Sequence, residues 1–136
     1  MRAEIGDPIY SDDRLTVREQ VMRVVEITTT LKAAARGQLR GKPKLKPAWT
    51  PPSPELWELA WSYKGRAAAE YRMYHSEPEG EPQLVGLRFH RKDLSDETLI
   101  GQRQEHEMRT AGKRHVDGER VRWGHRVKSC DACLEL

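Results

Sequence analysis

Two cysteines near the end of the chain are the residues best suited to chemistry. Cys130 and Cys133 are separated by two residues, and they are the only cysteines among 136 residues. Two thiolates at this spacing can chelate one Zn²⁺ from a turn, and two neutral imidazoles complete a closed tetrahedral site. We therefore predict a structural zinc knuckle, with two ordinary thiols on a frayed tail as the alternative. Its predicted ligands are His115, His125, Cys130 and Cys133, with His106 as a substitute for His115.

The motifs of common enzyme classes are missing from the sequence. Only three residues follow Cys133, too few for the helix start that activates a redox dithiol. His106 lacks both the Glu two positions later that zinc deaminases need and the second His of a metalloprotease helix. No nucleophile elbow, phosphate-binding glycine loop or dinucleotide fingerprint occurs. We therefore expect a protein that is not an enzyme and has no small-molecule substrate.

A basic, proline-rich arm covers residues 37–54. It contains five prolines, four basic residues and no acidic residue, so we expect an extended chain rather than a helix or a sheet. Cations on such an arm suit contact with phosphates, and Trp49 could stack on a base. A solvated spacer is the alternative. The predicted binding residues here are Arg40, Lys42, Lys44, Lys46 and Trp49.

A second basic surface is predicted on a C-terminal β-hairpin. Asp117 and Gly118 form a favourable two-residue turn because both positions tolerate a positive φ. In the strand that follows, alternate residues share a face, so the apolar Val121 and Trp123 oppose a row of cations. The predicted phosphate-binding residues are Arg120, Arg122, Arg126 and Lys128.

Two amphipathic helices are predicted on either side of the arm. Thr16 and Glu19 have the spacing of a capping box, and valines then recur at helical spacing up to Gly37, which suits a helix end. This apolar stripe faces either a core or a partner. Ser53 and Pro54 favour a second helix that runs to about His75, in which Trp57 and Trp61 should be buried.

The remaining elements are a strand and a polar helix. In residues 84–90, Val85, Leu87 and Phe89 alternate with more polar residues, which is typical of a half-buried strand. Ser95 should cap a helix over residues 96–111 that is polar on most sides and therefore lies on the surface. In that helix, Glu105 and Arg109 can form an i,i+4 ion pair.

The composition indicates one small core. Leu, Ile, Val and Phe total 25 of the 136 residues, a low fraction for a chain that must bury an ordinary core, although four Trp and four Tyr add apolar area. The predicted fold class is α+β, mostly helical: two amphipathic helices joined by the arm, a short strand, a polar helix and the hairpin. The predicted units are 1–36 (N-terminal segment and helix), 37–54 (arm), 55–112 (helical body with an acidic loop and the strand) and 113–136 (basic hairpin with the zinc knuckle).

These features predict a small, zinc-supported binding protein that associates with nucleic acid or a nucleic-acid-handling complex. One alternative is a structural adaptor in a virus particle or ribonucleoprotein, with arms ordered by neighbouring subunits. Another is an inhibitor that binds a protein through Trp49 and the acidic loop of residues 76–83. We expect a protein partner and no membrane. The acidic, proline-containing start is unlike an export signal and the cysteines are few, so we expect a cytoplasmic location.

Overall fold

The computed structural model describes residues 2–38, 56–77 and 84–121, together with the backbone of residues 46–48. Three α-helices and four strands form an α+β fold. The elements are α1 (Arg2–Tyr10), α2 (Val17–Ala35), β1 (Lys46–Ala48), β2 (Leu56–Tyr63), β3 (Ala69–Ser76), β4 (Val85–Arg91), a 3-10 turn (Glu97–Leu99) and α3 (Ile100–Glu119). None of the helices in these described ranges has the length and apolar character needed to cross a membrane.

The strands form one antiparallel sheet in the order β1-β2-β3-β4. Three of them, β2, β3 and β4, are long, whereas β1 has three residues. Because side chains alternate along a strand, the sheet has two separate apolar faces. One packs against α1 and α2, and the other packs against α3. The sheet is therefore the middle of three layers, with a core on each side.

The core under α1 and α2 is aromatic. Phe89 stacks on Tyr71 with ring centroids 5.7 Å apart, and Trp61 lies tilted 6.0 Å from Phe89. From α2, the buried Arg23 donates hydrogen bonds to the Tyr71 hydroxyl and to the Ala67 carbonyl oxygen. Rings of this size supply much of the apolar area that the aliphatic residues do not.

The predicted first helix is confirmed, including both of its ends. The Thr16 hydroxyl accepts from the Glu19 amide, and the Glu19 carboxylate accepts from the Thr16 amide. At the other end, Gly37 has φ +66°. The amides of Gly37 and Gln38 bond back to the carbonyls of Ala34 and Ala33, which is a Schellman ending.

The predicted second helix, over residues 55–75, is wrong. These residues form the β2-β3 hairpin, in which Trp57 pairs with His75 and Tyr63 with Ala69. Both faces of the sheet are covered, so apolar residues occur at odd and even positions and imitate a helical stripe. Trp61 is buried as predicted, whereas Trp57 is only half-buried.

The predicted C-terminal hairpin is also wrong over its described part. Helix α3 continues to Glu119, so Asp117 and Gly118 lie in its last turn instead of a hairpin turn. The polar helix was predicted to lie on the surface, but Ala111 of α3 is fully buried against the sheet. The predicted pair of Glu105 and Arg109 is confirmed at 2.6 Å. Residues 122–136 lie outside the described part of the chain.

Two further differences concern the starts of helices. Helix α1 was not predicted, because Gly6, Asp7 and Pro8 all disfavour a helix interior. Asp96, rather than Ser95, caps the 3-10 turn that leads into α3, where its carboxylate accepts from the Thr98 amide. The protein is therefore an α+β fold built on an antiparallel sheet, and the mostly helical architecture with a C-terminal hairpin does not hold.

Side chains from α1 and α3 cover the edge of β4. Glu4 of α1 accepts from the Phe89 amide, and Arg114 of α3 donates to the Leu87 carbonyl at 2.7 Å. Arg114 and Arg88 both donate to Glu4 at 2.9 Å. Burial opposes ionisation of Glu4, but these arginines outweigh it and lower its pKa. Side chains thus satisfy the Phe89 amide and the Leu87 carbonyl on this edge without another strand.

Candidate functional site

A cluster of polar side chains lies on the sheet face that α3 covers. Antiparallel register aligns Glu58 of β2 with Tyr74 of β3, and Tyr74 with Arg88 of β4. In the adjacent row, Arg72 of β3 aligns with His90 of β4. Polar residues from three strands therefore meet on one face. We call the following residues the polar cluster: Glu58, Arg72, Tyr74, Arg88 and His90 of the sheet, with Gln104 and Glu107 of α3.

A buried ion pair lies at the centre of the polar cluster. Glu58 is 2% exposed, and its Oε1 lies 3.3 Å from Nε of Arg72. Gln104 reaches down from α3 and places its amide nitrogen 3.5 Å from Oε2 of Glu58. Arg72 also lies 3.2 Å from Glu70. A buried ion pair adds little net stability by itself, but removing one partner leaves an uncompensated charge.

The His90 imidazole stacks on the Tyr74 ring. The ring centroids are 5.6 Å apart with an interplanar angle of 22°. Nδ1 of His90 lies 3.4 Å from the Arg91 carbonyl oxygen, and Nε2 has no hydrogen-bond partner among the described residues. Burial lowers the pKa of His90, and burial followed by the charge of Glu58 raises the pKa of the Tyr74 phenol. Both rings are therefore neutral near pH 7.

The pair of Arg88 and Glu107 joins β4 to α3. Nε of Arg88 lies 2.5 Å from Oε2 of Glu107. Burial opposes the charge on Glu107, but the hydrogen bond from Arg88 and the nearby positive groups outweigh it and lower its pKa. Glu107 is therefore a carboxylate at neutral pH and holds α3 over the polar cluster.

The polar cluster opens into a cleft of about 360 Å³ between the end of β4 and the start of α3. The cleft contains three cations, two histidines and two carboxylates, together with amides and apolar side chains. Its lining residues are His90, Arg91, Lys92, Asp93, Leu99, Ile100, Gln102, Arg103, Gln104, His106 and Glu107.

Carboxylates fix the positions of two cations in the cleft. Asp93 lies 2.8 Å from Arg103, and the Ser95 hydroxyl is 3.3 Å from the same guanidinium. Asp12, from the turn after α1, lies 3.2 Å from Arg91. Guanidinium groups held in this way present several N–H donors in a fixed geometry, which suits phosphate oxygens. With three cations against two carboxylates, the residues that line the cleft carry a formal net charge of +1.

The predicted zinc site is contradicted. Among the residues that the structure describes, no group of three or more His, Cys, Asp or Glu could hold a metal ion. His115 lies on α3 rather than on a hairpin strand, so the geometry that was to bring the ligands together is missing. His106 is on the same helix and lines the cleft instead. The remaining predicted ligands, His125, Cys130 and Cys133, lie outside the described residues.

Most of the predicted binding residues also lie outside the described part of the chain. Of the predicted binding residues in the basic arm, only Lys46 has a described backbone, and it begins the edge strand β1. Arg120 is the exposed C-cap of α3. The predicted binding residues outside the described ranges are Arg40, Lys42, Lys44, Trp49, Arg122, Arg126 and Lys128.

Sequence reasoning missed the residues of the polar cluster. Glu58 and Arg72 lie in the region predicted to be a helix, where they would be ordinary surface charges. A usable signal was present in β4, because the strand alternation already placed Arg88 and His90 together on its polar face.

The fold and site thus define an α+β protein with a central antiparallel sheet and a polar, partly basic cleft beside its last strand. No family model matches the chain, and neither a curated protein nor a solved structure is significantly similar to it.

Proposed function

We propose that the protein binds single-stranded nucleic acid, with one nucleotide seated in the cleft. The observation that carries this proposal is the cleft, which His90 lines together with Arg91, Lys92 and Arg103. The Nε2 atom of this histidine is buried and has no hydrogen-bond partner among the described residues. The cations provide phosphate contacts, and the imidazole provides one directional hydrogen bond to a sugar or base.

The dimensions of the cleft favour a single strand over a duplex. A volume of about 360 Å³ lies in the range of small-ligand sites, and a flexible single strand can enter it one nucleotide at a time. The cations of the basic arm and Arg120 would then add affinity that depends on salt. The small number of cysteines supports a cytoplasmic setting.

The test is binding of a fluorescent oligouridine of about 12 nucleotides, measured by anisotropy over a range of salt concentrations. The Lys92→Gln and Arg103→Gln double variant should bind about tenfold more weakly. The slope of log K against log salt should fall by roughly 0.7 for each lost phosphate contact. Lys113→Gln, on the exposed far part of α3, is the control for removal of a surface positive charge outside the cleft and should bind like the wild type.

Two results would reject the cleft as the binding site. One is a wild type that shows no binding at about 50 mM salt, a concentration at which phosphate contacts are strong. The other is a cleft variant that binds as tightly as the control. The contribution of the arm to binding is measured separately, with a variant in which Gln replaces Arg40, Lys42, Lys44 and Lys46. If only this variant loses affinity, the nucleic acid binds to the arm.

The adaptor function is a second proposal, supported by exposed apolar residues on α2. A pulldown from the native source, with and without nuclease treatment, distinguishes the two functions. Loss of the captured material after nuclease treatment favours nucleic-acid binding. A stoichiometric protein that remains after nuclease treatment favours the adaptor.

A further inference from the structure

Helix α2 presents a second apolar face to solvent. Its inner face buries Arg23 and Ile27 against the sheet. The opposite side exposes four large apolar side chains at helical spacing. Their exposed fractions are 76% for Val17, 45% for Val21, 61% for Met22 and 56% for Val25. At 3.6 residues per turn, these four fall within an arc of about 140° on the helix.

Single apolar side chains at a surface are ordinary, but a contiguous row indicates a contact site. Val17, Val21 and Val25 are one turn apart and form a row roughly 12 Å long, at 1.5 Å per residue. Met22 lies beside the row and has a flexible side chain that adapts to different partners. The row faces away from the core, so these side chains leave much of their apolar surface in water.

The same side of α2 is basic and carries no acidic residue. Arg18, Lys32 and Arg36 project from it, and none of their side chains has a hydrogen bond or ion pair with another described residue. The two acids of the helix lie outside the arc and are already engaged. Glu19 pairs with Arg66 at 2.8 Å, and Glu26 accepts from the Tyr63 hydroxyl at 2.7 Å.

We propose that this outer face of α2 is the docking surface for an acidic amphipathic helix of a partner protein. The valine row fits apolar residues repeated every three or four positions along such a helix. The unpaired cations lie toward both ends of the row, where they meet acidic side chains of the partner. This surface is separate from the cleft, so the inference stands independently of nucleic-acid binding.

The side chains favour a protein over the two other anionic surfaces that a basic helix can meet. A nucleic-acid backbone would use the cations and leave the valine row in water. A helix that inserts into a bilayer surface usually presents Trp, Phe or Leu among its apolar residues, whereas this face carries valine, methionine and threonine. A partner helix uses both the apolar row and the charges.

The experiment is selection from a display library of randomised 20-residue helical peptides, with the full chain as bait. We expect enriched peptides that combine Asp or Glu with apolar residues at i, i+3 or i+4, and i+7. They should bind the wild type and lose at least tenfold in affinity for the Val21→Ser, Val25→Ser variant and for the Arg18→Glu, Lys32→Glu variant. Peptides in which Glu is replaced by Lys should regain binding to the charge-reversed variant.

A matched control lies on α3. Val116 is 48% exposed, close to the value for Val21, and Lys113 is an exposed lysine. The Val116→Ser, Lys113→Glu variant should bind the selected peptides like the wild type, and all variants should unfold at the wild-type temperature.

Four results would overturn the proposal. The first is an enriched pool without acidic residues, and the second is equal binding to the wild type and the valine variant. The third is failure of the charge-swapped peptides to rescue binding. Sedimentation with phosphatidylserine vesicles that requires Val21 and Val25, in the absence of peptide binding, would assign this face to a membrane and also overturn the proposal.

Discussion

Replacing Asp12 with Asn should destabilise the protein in a way that depends on pH. Asp12 lies in the turn between α1 and α2, and its side chain is 2% exposed. It accepts hydrogen bonds from Arg14 at 2.7 and 2.9 Å and from Arg91 at 3.2 Å. The hydrogen bonds from Arg14 are the main cause of a pKa of about 2 for this carboxyl, below its usual 3.8.

This lowered pKa sets both the size and the sign of the effect. At about 1.36 kcal/mol per pKa unit, a drop of nearly two units corresponds to at most ~2.4 kcal/mol of stability. The Arg14 and Arg91 side chains are 40% and 42% exposed, so solvent screens the two pairs and we expect about 1.5 kcal/mol. The folded state binds the proton less tightly than the unfolded state. The stabilisation is therefore complete above about pH 4 and is lost as the pH falls through about 2.

Urea denaturation of the wild type and Asp12→Asn at several pH values measures this difference. The two proteins should differ by about 1.5 kcal/mol at pH 7 and converge toward about pH 2. Asp13→Asn, at the exposed neighbouring acid, is the control and should change stability by less than about 0.5 kcal/mol. A difference for Asp12→Asn that is the same at both ends of the pH range would show that its carboxylate is not the stabilising group.

Three further predictions concern stability. Trp61→Ala should lower the free energy of unfolding by about 3 to 5 kcal/mol, because Trp61 is buried. Trp57 is only half-buried, so Trp57→Ala should cost clearly less. Equal losses in urea denaturation would contradict this difference in burial. Thr16→Ala should cost about 1 kcal/mol through loss of the helix cap, and an unchanged denaturation midpoint would contradict this. Burial lowers the pKa of His75 to about 4, so stability should fall as the pH drops from about 6.5 to 4, because the unfolded state takes up the proton first. His75→Phe should remove that part of the pH profile, and an identical profile would contradict the reasoning.

The elements that could be predicted are those in which local signals and tertiary packing agree. The capping box at Thr16 and Glu19 and the Schellman glycine Gly37 fix α2 by local hydrogen bonds alone. The β2-β3 hairpin was predicted as a helix because burial on both faces removes the period-two alternation on which a strand prediction depends. A contrary signal was present in Gly65, which has φ +91° in the turn and lies in the middle of the predicted helix.

The candidate site could not be predicted because its residues converge only through strand register. Glu58, Arg72 and His90 are far apart in sequence, and pairing across β2, β3 and β4 brings them onto one face. The C-terminal end of α3 also depends on a contact between elements that are distant in sequence. Asp117 and Gly118 favour a turn locally, yet Arg114 anchors the preceding helical turn to the edge of β4. A tertiary contact outweighs the local preference.

The contacts at the edge of β4 connect the cleft to the rest of the fold. Glu4 of α1 receives a hydrogen bond from Arg88, and Arg88 also binds Glu107 in the wall of the cleft. Asp12, just beyond α1, holds Arg91 in the same wall. Two residues that line the cleft, Glu107 and Arg91, are therefore tied to acids of α1 and of the turn after it, Glu107 through Arg88 and Arg91 directly. Because α3 lines the cleft and α1 reaches it through Arg88, the geometry of the site depends on both helices remaining packed against the sheet.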